Sequence, residues 1–311
     1  MDGASSSLAD HQRTIVVPGA DRGPVDLALT LGPLRRGRSD PSMRISPDGV
    51  WRASRTPMGP ATTRLTVSGS SVTGQAWGPG AQWALDALPA LVGADDSGEG
   101  FMPRDPVVAD LHRRFPGLRL CRSGAVVEAL VPTILEQKVV GVDARRSYAR
   151  LVRALGDPAP GPVTLVVPPA PEVLATTPSW VFHSAGVERK RAESIRMACS
   201  YARRLEEITD LALPDAYRRL TALPGVGAWS AAEVASVALG DGDAVSVGDY
   251  HLPGQVAWAL AGEARAGDAR MLELLEPYHG HRGRVIRLIC AGAPRPPRFG
   301  PRMPLSTIAG L

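Results

Sequence analysis

The sequence predicts an α+β protein in which a small antiparallel sheet with helices comes first and a mostly α-helical region follows. Three observations predict it. Across residues 13–94, short β-branched or alternating runs are separated by Pro-Asp-Gly, Pro-Met-Gly-Pro and Ser-Gly-Ser-Ser turns. After a Gly/Asp/Ser-rich stretch at 93–100, apolar residues recur at helical spacing almost to the C-terminus. At 311 residues, with 44% hydrophobic and 21% charged residues, the chain suits two domains and a sizeable core. The expected divisions are a loose tail at 1–12, an α/β accessory domain at 13–100, a helical domain at 101–292 and a Pro/Arg-rich tail at 293–311.

In chain order, residues 14–17 read as a strand and 25–31 as a short helix. Residues 43–45, 50–53, 63–67 and 72–76 read as a strand meander, closed by a helix at 82–88. Pro106–Arg114 and residues 125–139 are amphipathic, and 143–155 places Ala144, Tyr148, Leu151 and Leu155 on one helical face. Residues 157–171 are Pro-rich and read as an exposed crossover loop. Helices are then expected at 172–176, 189–205, 217–223, 231–239, 255–260, 269–275 and 283–290.

Composition narrows the function. A net charge of +4 suits a polyanionic partner. The cysteines Cys121, Cys199 and Cys290 form no C-x-x-C pair, so neither a zinc site nor an iron–sulfur cluster can be built from them. No charged segment followed by an apolar run opens the chain, and no apolar run has membrane-spanning length. The expected compartment is a reducing cytoplasm, with no membrane partner.

One stretch organises the helical region: Leu223-Pro224-Gly225-Val226-Gly227-Ala228-Trp229-Ser230, lying between two helix-competent segments. Both glycines permit positive φ and close approach of another backbone. Leu223 and Val226 can tuck inward while the Gly225–Ala228 amides face out at a helix start, a place suited to phosphate. Such a turn by itself also serves an ordinary helix–helix connection. Downstream stands Val247-Gly248-Asp249-Tyr250.

Together these resemble the helix-hairpin-helix DNA glycosylases, and among them the bacterial 3-methyladenine DNA glycosylase II type. Ile134-Leu135-Glu136-Gln137-Lys138-Val139-Val140, residues 184–192 and Tyr278-His279-Gly280-His281-Arg282-Gly283-Arg284-Val285 carry the similarity across the helical region. It implies a two-lobed helical glycosylase region acting, as a monomer, on double-stranded DNA that contains a damaged base. It implies DNA contacts from Gly225, Val226, Gly227, Ala228, Ser230, Gln137 and Lys138. No cofactor is implied for the chemistry, but a K⁺ or Na⁺ at the Leu223 and Val226 carbonyls is.

Hydrolysing an N-glycosidic bond builds positive charge on the sugar, so a carboxylate beside the anomeric carbon lowers the barrier. Asp249 is the candidate, although a loop or helix-capping aspartate would look the same. Bifunctional relatives carry a lysine nucleophile where this chain has Trp229; Lys138 and Lys190 are the only lysines, so a water-using, monofunctional enzyme is expected. Lys138 follows Gln137 where the family fills the gap left by a flipped base; it can plug the gap, touch phosphate or be a plain surface residue. Trp229, Tyr250, Glu233, His251 and Cys290 align with the walls of the base pocket. Glu233, His251 and Cys290 replace aromatic or apolar groups, pointing to reading by hydrogen bonds, although solvated or core roles also fit them. The leading expectation is excision of alkylated purines such as 3-methyladenine. The alternatives are a non-catalytic DNA-binding protein and a glycosylase for deaminated or oxidised bases.

Overall fold

In the computed structural model, residues 9–17, 23–96 and 98–297 are described. The chain opens with β1 (His11–Val16), and α1 (Leu27–Leu31) follows, capped by Asp26, whose carboxylate accepts the Leu29 N–H at 2.9 Å. Next come β2 (Met43–Ser46), β3 (Gly49–Thr56), β4 (Gly59–Ser68) and β5 (Ser71–Trp77). All pair antiparallel in the order β1-β5-β4-β3-β2. The expected meander is therefore present. His11 and Gln12, expected in the tail, instead pair with Ala76 and Gln75 and begin the edge strand. Strand β5 alternates inward and outward along its length, and α2 (Ala81–Asp86) and α3 (Leu88–Leu91) cover its inner face. Gly74 permits that approach: a Cβ there would lie 2.9 Å from Leu85.

The helical part begins with α4 (Pro106–Arg114). Asp105 caps it, Pro106 sits in its first turn, and His112, Arg113 and Arg114 lie at its C-terminal end. Helix α5 (Val126–Glu136) is apolar on nearly every side and forms the hub of the fold. Its first amides, Val126 and Val127, each donate at 2.9 Å to the carboxylate of Glu206, a residue remote in sequence. Helix α6 (Gly141–Leu155) follows. The expected 157–171 loop carries a short pair, β6 (Asp157–Pro158) with β7 (Val166–Val167). Then come α7 (Pro171–Thr176), α8 (Ser179–Ser184), α9 (Arg189–Ser200) and α10 (Ala202–Glu206). The single helix expected at 189–205 is broken at Tyr201. Helices α11 (Leu213–Thr221), α12 (Ala228–Val234), α13 (Leu252–Ala261), α14 (Asp268–Leu275) and α15 (Arg282–Gly292) complete the fold, and α12 runs on into a wider π turn at Ala235–Leu239. None of the described helices is long and apolar enough to cross a membrane.

Two hydrophobic cores divide the molecule, and they do not follow the expected boundary near residue 100. The first runs unbroken from Leu65 and Val72 of the sheet through Leu88 and Leu91 into Leu130, Leu151, Ile195 and Val234. The second joins Val108 and Leu111 of α4 to Val256, Met271 and Leu288 of α13–α15. The sheet thus shares its core with the first helical lobe. The chain crosses from that lobe to the second in the segment between Ala238 and Leu252. Most of the 293–311 tail lies outside the described residues.

Candidate active site

The hairpin between α11 and α12 is a tight turn in which the Val226 N–H donates to the Leu223 carbonyl at 3.0 Å. Val226 is buried and anchors the turn. Gly225 has φ +85, a conformation that L side chains rarely adopt. Gly227 corrects the sequence reading: its φ is −99 and ψ −171, an extended conformation open to any residue. What glycine provides there is bare surface, since a Cβ would meet nothing within 4 Å. No side chain caps the first turn of α12, whose start lies beside that bare surface. Gln137, just beyond α5, donates its side-chain amide to the Gly225 carbonyl and to Ser230 Oγ, both at 2.8 Å, and so ties the hub helix to the hairpin. The next residue, Lys138, is exposed and has φ +54, the one positive φ at a non-glycine among the described residues.

Asp249 lies on the segment that crosses between lobes. Its Oδ1 accepts the backbone N–H groups of His251 at 2.7 Å and Leu252 at 2.8 Å, and its Oδ2 accepts the indole N–H of Trp229 at 3.0 Å. The carboxylate is therefore both a cap for α13 and a direct neighbour of the hairpin, because Trp229 belongs to the first turn of α12. It is half-buried, and every one of these bonds has it as acceptor. The loop is pinned at two further points. Ser246 donates to Glu233 Oε1, and the Gly248 N–H donates to the Asp268 carboxylate at the start of α14. Trp229 and Glu233 are four residues apart on α12, hence on one face, and both hold the same loop.

Glu233 has a pKa raised by burial, against the pull of the Ser246 hydrogen bond; the negative charge of Glu136 adds to the rise. Cys290, on α15, is open to solvent along part of its surface yet closely surrounded by protein, as a cleft wall is. Burial raises its thiol pKa and the nearby Arg287 opposes the rise; Glu233 and Asp249 also act on it. Arg287 donates to the Leu29 carbonyl at 2.7 Å, joining α15 to α1. Glu233, Asp249 and Cys290 thus face a common cleft. Tyr250 and His251 do not close it: Tyr250 is 90% exposed, and the two rings meet edge to face at 4.8 Å on the outer surface. The sequence reading missed Arg36, Glu136, Ser246 and Asp268, none of which stands in a local pattern that marks it.

No protein-family model matches the chain, and a search of curated proteins finds no match. Solved structures do. A 3-methyladenine DNA-glycosylase from Archaeoglobus fulgidus superposes with a TM-score of 0.75 at 20% identity, covering 89% of this chain and 97% of that one. MBOgg1 in complex with a low-affinity DNA ligand gives 0.68 at 15% identity over 89% and 93%. An 8-oxoguanine glycosylase/lyase of Clostridium acetobutylicum, bound to double-stranded DNA with cytosine opposite 8-oxoG, gives 0.64 at 13% over 85% and 90%. The fold is that of the helix-hairpin-helix DNA glycosylases. Within this glycosylase fold, the hairpin of residues 223–227, the carboxylate of Asp249 and the turn at Gln137 and Lys138 come together in one region.

Proposed function

We propose that the protein is a monofunctional DNA glycosylase that flips a damaged purine from duplex DNA and hydrolyses its N-glycosidic bond. The observation that carries this reading is Asp249: a carboxylate held by three donors at the edge of the hairpin, beside a cleft walled by Trp229, Glu233 and Cys290. In this reading the bare surface at Gly227 and the uncapped start of α12 receive a backbone phosphate. Lys138 enters the stack or grips phosphate where the base has left, a step that costs a few kcal/mol and is easier for a damaged base. Asp249 then stabilises the positive charge that develops on the sugar and orients the attacking water. Trp229 supplies no nucleophile, and its indole N–H is engaged with Asp249. A potassium or sodium ion at the Leu223 and Val226 carbonyls would add positive charge at the phosphate. Leu223 O already accepts one N–H and keeps its second lone pair for such an ion.

Alkylated purines are the substrates that the family resemblance suggests, while the polar wall of Glu233 and Cys290 supports a deaminated or oxidised base. A panel of duplexes, each carrying one damaged base, tests the reading. Alkali-labile abasic sites are expected from at least one lesion, with no covalent adduct trapped by borohydride. An adduct would contradict the monofunctional assignment. DNA binding without release of any base would favour a non-catalytic protein.

A further inference from the structure

One guanidinium in this cleft comes from outside the helical region. Arg36 follows α1 in the sheet-bearing unit, and its side chain is only 12% exposed. Among the described residues that guanidinium makes no hydrogen bond; its nearest acceptor is Glu136 Oε2, at 3.6 Å. Glu136 ends α5 and precedes Gln137, which bonds to Ser230 on α12. Glu233 lies three residues beyond Ser230, on the same helix face. Arg36 and Glu233 therefore approach one cleft from opposite units, and their charges act on each other. Of the Glu233 carboxylate, Oε1 is engaged by Ser246, and Oε2 has no hydrogen-bond partner. A cleft beside a candidate catalytic carboxylate thus presents a donor fork without acceptors and an acceptor oxygen without a donor.

A purine with a carbonyl at C6 matches that pair. It offers two acceptors, O6 and N7, to a guanidinium fork, and beside them an N1–H donor to a carboxylate. A 6-amino purine reverses both groups: its amine faces the guanidinium and its bare N1 faces the carboxylate. We propose that Arg36 and Glu233 read the flipped base and select 6-oxopurines with an unsubstituted N7, the class that deamination of adenine produces as hypoxanthine. This rests on the glycosylase reading above and names its substrate class. The sheet-bearing unit then contributes to specificity through Arg36.

The test uses the full chain, with single-turnover release from duplexes carrying either hypoxanthine or 1,N6-ethenoadenine, which has neither a 6-oxo group nor an N1–H. The wild type is expected to release hypoxanthine faster. Arg36→Met and Glu233→Ala should each slow hypoxanthine release about tenfold or more and leave ethenoadenine within about threefold. Loss of folding would slow both lesions together, and the Glu233 variant is free of any disturbance at Arg36. A wild-type preference for ethenoadenine, or a parallel fall on both lesions in both variants, would overturn the assignment. Equilibrium dialysis of free hypoxanthine and free adenine against the protein bound to an abasic-analogue duplex separates the two readings. Should the wild type release no base at all, the glycosylase reading fails, while selective retention of hypoxanthine that is lost in Arg36→Met still supports the reader. Equal retention of both bases overturns it.

Discussion

At the scale of residues, the cleft is made by groups whose partners come from other elements. Glu233 is the plainest case. Burial and the charge of Glu136 hold its pKa above the ordinary carboxylate value of about 4.3. The folded state therefore binds its proton more tightly than the unfolded state does. Stability from this position is intact in acid and falls as pH rises from the ordinary carboxylate range through the raised folded value. Glu233→Gln, which does not titrate, should match the wild type in acid and melt at a progressively higher temperature than it as pH rises. Thermal unfolding across about pH 4 to 8 measures this; a gap that is constant with pH would refute the buried-acid assignment. Asp249, Trp229 and the hairpin could be read in the sequence because glycines, an indole and a lone carboxylate stand in one short order. Arg36 could not, because it is one of many arginines and nothing local marks its approach to Glu136.

Among the elements, the hairpin separates two uses of glycine. Gly225→Ala forces a side chain into φ +85 and within 3.0 Å of Ser194 Oγ, and should cost about 1 kcal/mol or more of stability. Gly227→Ala meets no protein atom and should leave stability within about 0.5 kcal/mol, while its methyl obstructs the approach of a DNA backbone and weakens binding. Chemical denaturation paired with DNA titration resolves both. If Gly227→Ala binds DNA as the wild type does, the bare surface is not the contact. A second element-level claim concerns α5, the hub. Glu206→Ala removes the acceptor of two helix-start amides in a buried setting and should cost about 1–2 kcal/mol, read as a shifted denaturation midpoint. Some elements escaped the sequence for identifiable reasons. Helix α8 fully buries only Phe182 and exposes Trp180, so no apolar period marks it. Strands β6 and β7 are two residues each and lie in a Pro-rich run, where no alternation can develop.

For the whole molecule, the unexpected feature is where the cores lie. Composition shifts near residue 100, but the first core ignores that shift and binds the sheet to helices α5–α12. Two arginines of α15 add ties across the fold: Arg284 pairs with Asp96 of the linker, and Arg282 with Asp243 of the crossing segment. A fragment of residues 101–292 would expose the side chains that Leu65, Val72, Leu88 and Leu91 now cover. It should show no cooperative thermal transition by circular dichroism; a sharp transition near that of the full chain would show that the helical part folds independently. The same packing fixes the crossing segment, and with it the one carboxylate on which the chemistry depends. Single-turnover base release by Asp249→Asn, compared with wild type on the best damaged duplex, tests that dependence most directly. The amide can still cap α13, so affinity for an abasic-analogue duplex should stay near the wild-type value while release slows by about a hundredfold or more. Release at the wild-type rate would contradict the assignment of Asp249 to the chemistry.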